Sequence, residues 1–98
     1  MAKKYFRISE VVRVCSVSEE FILSLEREHV IASVTRKREK AYSLDQVDRI
    51  RVARNLIEDL GVNLEGVEVA LHMREQIISM RQELARIIHR SKKNPDTP

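Results

Sequence analysis

Ala70, Met73, Ile77, Met80, Leu84 and Ile87 recur at alternating steps of three and four residues. That is the a/d spacing of a helix that pairs along a seam. It limits the fold more than any other feature of the chain. Asn63 stands at an N-cap position and the pattern runs to about residue 90, so one helix over 63–90 is predicted. At 1.5 Å per residue it extends about 42 Å, too long to lie wholly on so small a domain. A second stripe, Leu64, Val67, Leu71 and Ile78, is offset from the first. The second stripe is expected to pack on the N-terminal part of the chain. The seam of Met73, Ile77, Met80, Leu84 and Ile87 is expected to face a second copy, giving a homodimer. Arg74, Arg81 and Arg86, with Glu75 and Glu83, are expected to flank it. The alternative is a core helix within one chain. Two methionines in the seam leave the pairing adaptable.

Shorter elements precede this helix. Ser9 before Glu10-Val11-Val12-Arg13-Val14-Cys15 reads as a capped first helix. Ser16-Val17-Ser18 interrupts it; Ser16 and Glu19 have capping-box spacing, and Ser18 is placed to cap a second helix over 19–28. Phe21, Ile22, Leu25 and His29 fall on one face of that helix. Two short helices joined by about three residues predict a helix-turn-helix. Ala32–Thr35 and Ala41-Tyr42 have strand character and enclose Arg36-Lys37-Arg38-Glu39-Lys40, which reads as a wing with a charged tip. Tyr5–Ile8 is a candidate third strand. Ser43-Leu44-Asp45-Gln46 is a capping box. Leu44, Val47, Ile50, Ala53, Ile57 and Leu60 then repeat at helical spacing up to Gly61, predicting a helix over 44–60. The predicted fold is mainly α: a winged helix-turn-helix domain over 1–62 with a small β wing, a coiled-coil dimerisation helix over 63–90, and a flexible tail over 91–98. With two glycines and two prolines in 98 residues, a many-stranded β fold lacks its turns.

Several chemistries are not expected. Cys15 is the only cysteine, which excludes an intramolecular disulfide and a thiolate metal cluster. It is expected to be a small buried apolar residue. His29, His72 and His89 lie too far apart for a metal-binding helix motif. Gly61 and Gly66 form no phosphate loop. No catalytic residue, metal or cofactor is therefore expected, and the chain is not expected to be an enzyme. No apolar run reaches the roughly 18 residues of a membrane span, and Met1–Arg7 lacks the apolar stretch of a signal peptide, so a cytoplasmic protein is expected.

Charge is uneven along the chain. The net charge of +3 conceals a basic start (Lys3, Lys4, Arg7 and Arg13 against Glu10). An acidic second helix follows, with Glu19, Glu20, Glu26 and Glu28 against Arg27, and then a basic wing. Cations near phosphates supply non-specific DNA affinity, which suits the wing.

Three stretches carry a family resemblance: Phe6-Arg7-Ile8-Ser9-Glu10-Val11, Leu25-Glu26-Arg27-Glu28-His29-Val30-Ile31, and Tyr42–Val47 followed by Gly61–Val67. Together with the order of elements over about 5–88, the chain resembles the MerR superfamily of winged-helix regulators. It is most similar to the heat-shock-repressor branch and the related chaperone modulators that bind J-domain co-chaperones. The resemblance implies a DNA-binding transcription regulator in which Arg36, Lys37, Arg38, Lys40 and Tyr42 of the wing, with Ser18 and Arg27, serve duplex DNA. The second helix departs from the family pattern: Leu23 and Ser24 stand where the family carries Arg and Tyr, and Ala41 stands where Arg is common. Those departures imply the alternative, a chaperone modulator that docks a J-domain or DnaK-type partner through Glu19, Glu20, Glu26 and Glu28.

Overall fold

The computed structural model describes residues 3–93. Its elements are β1 (Tyr5–Arg7), α1 (Ile8–Cys15), α2 (Glu19–Arg27), β2 (Val34–Arg36), β3 (Glu39–Ser43), α3 (Leu44–Leu60) and α4 (Leu64–Lys93). The candidate third strand is present. The sheet order is β1-β3-β2, both pairs antiparallel, with Tyr5 opposite Ser43, Phe6 opposite Tyr42, and Arg7 opposite Ala41.

That pairing changes the start of α1. The strand runs to Arg7 and the helix begins at Ile8, so Ser9 lies inside the helix and is not its cap. The Glu10 carboxylate instead accepts from the Arg7 backbone N–H at 3.0 Å. Ser16 closes α1 in the left-handed region (φ 56°), so it is not the start of a capping box with Glu19. Ser18 caps α2, its Oγ accepting from the Phe21 N–H at 3.0 Å. Helix α2 stops at Arg27, and His29 is exposed with φ 60°, off the packed face. The Ser43 Oγ accepts from the Gln46 N–H at the head of α3, while the Gln46 side chain accepts from the Ala32 N–H at 2.8 Å.

The core gathers Val11 from α1, Ile22 and Leu25 from α2, Tyr42 from β3, Ile50 and Ala53 from α3, and Val67 and Leu71 from α4. The packed stripe of α3 is shorter than its periodicity suggests, since Leu44 and Leu60 at its ends are exposed. Both glycines of the chain lie around the turn into α4. Gly61 is left-handed (φ 67°) and its N–H donates to the Ile57 carbonyl. A Cβ on Gly66 would come within 2.7 Å of Val62 Cγ1. Two ion pairs then tie α4 to α3: Arg74 to Asp48 at 2.7 Å, and Glu75 to Arg49. Arg74 and Glu75, expected beside the seam, are thus bound within the chain. Hydrogen bonds from Arg51 and Arg74 hold the Asp48 carboxyl below its usual range, against the opposing effect of partial burial.

Beyond Glu75 the helix leaves the domain. Ile78, expected to pack on the domain, is 40 % exposed. Met73, Ile77, Met80, Leu84 and Ile87 are each between 50 and 66 % exposed. The helix continues through residues 91–93 of the segment read as a tail, and 94–98 lie outside the described residues. Among the described residues, no helix is long and apolar enough to cross a membrane.

Candidate nucleic-acid interface

The wing is tighter than its charge run suggests. Strands take up Arg36, Glu39 and Lys40, and Arg36 pairs with Glu39 as the last rung. Only Lys37 and Arg38 remain at the tip, both left-handed (φ 52° and 68°). Two consecutive left-handed residues make the I′ type of hairpin turn, which normally selects Asn-Gly. Each side chain in that region costs about 1 kcal/mol or more. Both side chains are exposed, and neither has an ion-pair partner among the described residues.

Glu26 joins α2 to the wing. Its carboxylate accepts from Tyr42 Oη at 2.9 Å, Lys40 Nζ at 2.9 Å and Ser33 Oγ at 3.0 Å. Partial burial works against its ionisation, but the bonds from Lys40, Tyr42 and Ser33 prevail and hold the carboxyl below its usual range. Burial, and then the neighbouring carboxylate, push the Tyr42 phenol well above its usual range. Tyr42 is wholly buried, so it supports the wing from beneath and does not present a surface to a duplex. Glu26 and Lys40 are engaged with each other, which removes Glu26 from any free acidic surface. The arrangement buries a phenol and satisfies it with a charge that is itself satisfied.

The rest of α2 is mixed. Glu19, Glu20 and Arg27, and Glu28 just past the helix end, are exposed, and none has an ion-pair partner among the described residues. Ser18 is committed to capping. The Ser24 hydroxyl donates to the Phe21 carbonyl at 2.7 Å. Arg7, Ile8, Ser9, Glu19, Leu23 and Lys40 line an open groove of about 490 Å³ between α1, α2 and the wing.

A second groove of about 590 Å³ lies along the sheet and gathers Lys3, Lys4, Arg7, Arg36, Lys37 and Lys40. The Arg36 guanidinium stacks on the Tyr5 ring, 4.3 Å from its centroid, and Lys3 lies over Phe6 at 5.5 Å. The residues before and within β1 are not among the predicted site residues. Their positive charge is visible in the sequence. What joins it to the wing is the pairing of 5–7 with 41–43, which brings distant parts of the chain together. Cys15 is buried against α3, its Sγ donating to the Val47 carbonyl at 3.8 Å, and burial pushes the thiol up. Among the described residues, no cluster of three or more His, Cys, Asp or Glu is placed to hold a metal ion.

No curated protein and no solved structure matches the chain. One family model, described as MerR HTH family regulatory protein, matches residues 6–88. The match begins in β1, takes in the helix pair and the wing, and ends within α4. With the helix pair, the wing and α3 all inside that span, the chain belongs to the MerR HTH family of regulatory proteins.

Proposed function

We propose that this protein is a DNA-binding transcription regulator that works as a homodimer in the cytoplasm and catalyses no reaction. The observation that carries this reading is the wing tip. Lys37 and Arg38 project without carboxylate partners among the described residues, from a turn whose backbone disfavours them. Backbone strain at a charged, exposed position is what a binding element retains and a plain loop does not need. Arg36 adds a third cation, and α2, capped by Ser18, is the helix that enters the major groove. Family membership supports the same reading. The seam of α4 supports the dimer, because isolated exposed leucines and isoleucines are common but an unbroken stripe along one helix face is not. The heat-shock branch of the family is the finer assignment we propose. Fluorescence anisotropy against the upstream region of its own gene tests the function. Tighter binding there than to random duplex is expected, with a steep fall in affinity as salt rises. Equal binding to both duplexes removes sequence-specific regulation.

A second reading rests on one specific observation. Glu19 and Glu20 on α2, and Glu28 just past its end, stand exposed without cation partners among the described residues, and base-reading donors are scarce there. That surface suits a basic partner such as a J domain, with opposite charge speeding encounter. Calorimetry with a J-domain co-chaperone separates the two. Binding abolished in Glu19→Lys with Glu20→Lys supports the chaperone role. Absence of heat beside tight operator binding removes it.

A further inference from the structure

We infer that the outer face of the sheet is a second phosphate-binding surface, built from Arg36 stacked on Tyr5 and flanked by Lys4 and Lys37. Its ligand is the phosphodiester backbone that runs past the wing. This inference rests on the DNA-binding reading above and extends it to residues outside the helix-turn-helix.

Tyr5 and Arg7 of β1, Ala41 of β3 and Arg36 of β2 fall on one face by strand alternation and register. Ala41 lies between the outer strands and is 5 % exposed, so the longer side chains around it cover it. Its small side chain leaves room for the Tyr5 ring and the Arg36 guanidinium to meet across the middle strand.

The stack decides what Arg36 can do. A guanidinium lying on a ring keeps its N–H edges outward, in the fork that matches two phosphate oxygens. Resting over the ring, the group is already partly ordered before any ligand arrives, which lowers the ordering cost of binding. Among the described residues Arg36 has no carboxylate partner, although Glu39 is its strand neighbour. Lys4 and Lys37 line the same groove, also without a partner among the described residues. The groove has two carboxylates, Glu10 and Glu39. Glu10 is already bound by Lys3, and that bond first and the Arg7 N–H second hold its carboxyl below the usual range. Cations therefore outnumber acids in the groove, and the acid nearest β1 is neutralised.

The position of the groove favours a nucleic-acid backbone over a small anion. It is open, and none of the polar side chains that line it is buried so as to enclose an isolated ion. Arg7, Glu39 and Lys40 line both this groove and the one beside α2, so they form the ridge between the two. A polyanion gripped at the wing tip has this cationic face on one side of the ridge and α2 on the other.

The test is duplex binding at several salt concentrations by wild type, Tyr5→Phe, Tyr5→Leu, Arg36→Lys, Tyr5→Leu with Arg36→Lys, and Lys4→Ala. Thermal melting of each variant in parallel reports folding. Tyr5→Phe keeps the ring and should bind as wild type does. Tyr5→Leu should weaken binding about threefold, the worth of an exposed cation–π interaction. Arg36→Lys should weaken it by a similar factor with the salt slope unchanged, since the charge remains while the planar fork is gone. The double variant should bind no more weakly than either single one, because the two side chains act as a unit. Lys4→Ala should lower the salt slope by roughly 0.9, the share of one neutralised phosphate. Folded Tyr5→Leu and Arg36→Lys variants that bind like a wild type that itself binds duplex overturn this inference alone. A wild type that binds no duplex overturns both this inference and the DNA-binding reading.

Discussion

Glu26 shows how one side chain sets the relation between two parts of the site. Its three donors come from the loop before β2 and from β3, while its backbone belongs to α2. Removing it leaves the buried Tyr42 hydroxyl without an acceptor, so Glu26→Ala should destabilise the fold by about 2 kcal/mol. Glu26→Gln keeps an acceptor for Tyr42 but removes the charge opposite Lys40, and should cost about 1 kcal/mol. The two variants also differ from wild type in acid. The Glu26 carboxyl titrates below its ordinary value of 4.5 in the folded protein. The stability it contributes is therefore complete above about pH 4.5 and disappears as pH falls through the lower folded value. Urea midpoints at pH 7 and pH 3 check this: the gap between wild type and Glu26→Gln should narrow in acid. Gly61 is simpler. It is left-handed with open space around it, so Gly61→Ala should cost about 1 kcal/mol in a thermal melt through the backbone alone.

Among the elements, the wing is where stability and the proposed binding oppose each other. Replacing Lys37 by Asn and Arg38 by Gly supplies the residues that a left-handed pair prefers. This double variant should be more stable than wild type by about 1 kcal/mol in denaturant, yet bind duplex more weakly and with a shallower salt slope. A variant both less stable and weaker in binding would contradict the strain argument. The wing also marks how far a sequence of this kind can be read. The two strands are legible from Val34-Thr35 and Ala41-Tyr42, but a Lys-Arg turn carries none of the usual signals, so the residues alone suggest a longer loop at the tip. The start of α1 differs from its local signal for a related reason. Ser9 is a good cap locally, and the pairing of Arg7 with Ala41 overrides it. Local chemistry is a reliable guide at Ser18, Ser43 and Gly61, where nothing distant competes. The cationic groove is hidden in the sequence because it needs residues 5–7 and 34–43 side by side in one sheet. The division of α4 is largely legible: Val67 and Leu71 are buried, and the seam beyond them is exposed. Ile78 departs from its stripe, because the helix has by then left the domain.

At the scale of the molecule, the proposed dimer depends on the exposed half of α4. Replacing Leu84 by Glu puts a charge in the middle of that seam. Sedimentation should show a monomer in place of a dimer, and duplex affinity should drop, since two linked heads bind far better than one. The melting temperature of wild type should rise with protein concentration, and that of Leu84→Glu should not. The domain itself should remain folded, because its core uses only the first turns of α4. The pairs Arg74–Asp48 and Glu75–Arg49 fasten those turns to α3. They make α4 a spoke of fixed azimuth, whose seam points in a direction set by residue count. One residue inserted after Glu75 turns everything beyond it by about 100° and advances it by about 1.5 Å. Seven inserted residues bring the seam back to within about 20° of its original bearing, roughly 10 Å further out. In the proposed dimer the two heads would therefore be phased like cams on a shaft, with a spacing adjustable only in steps of whole heptads.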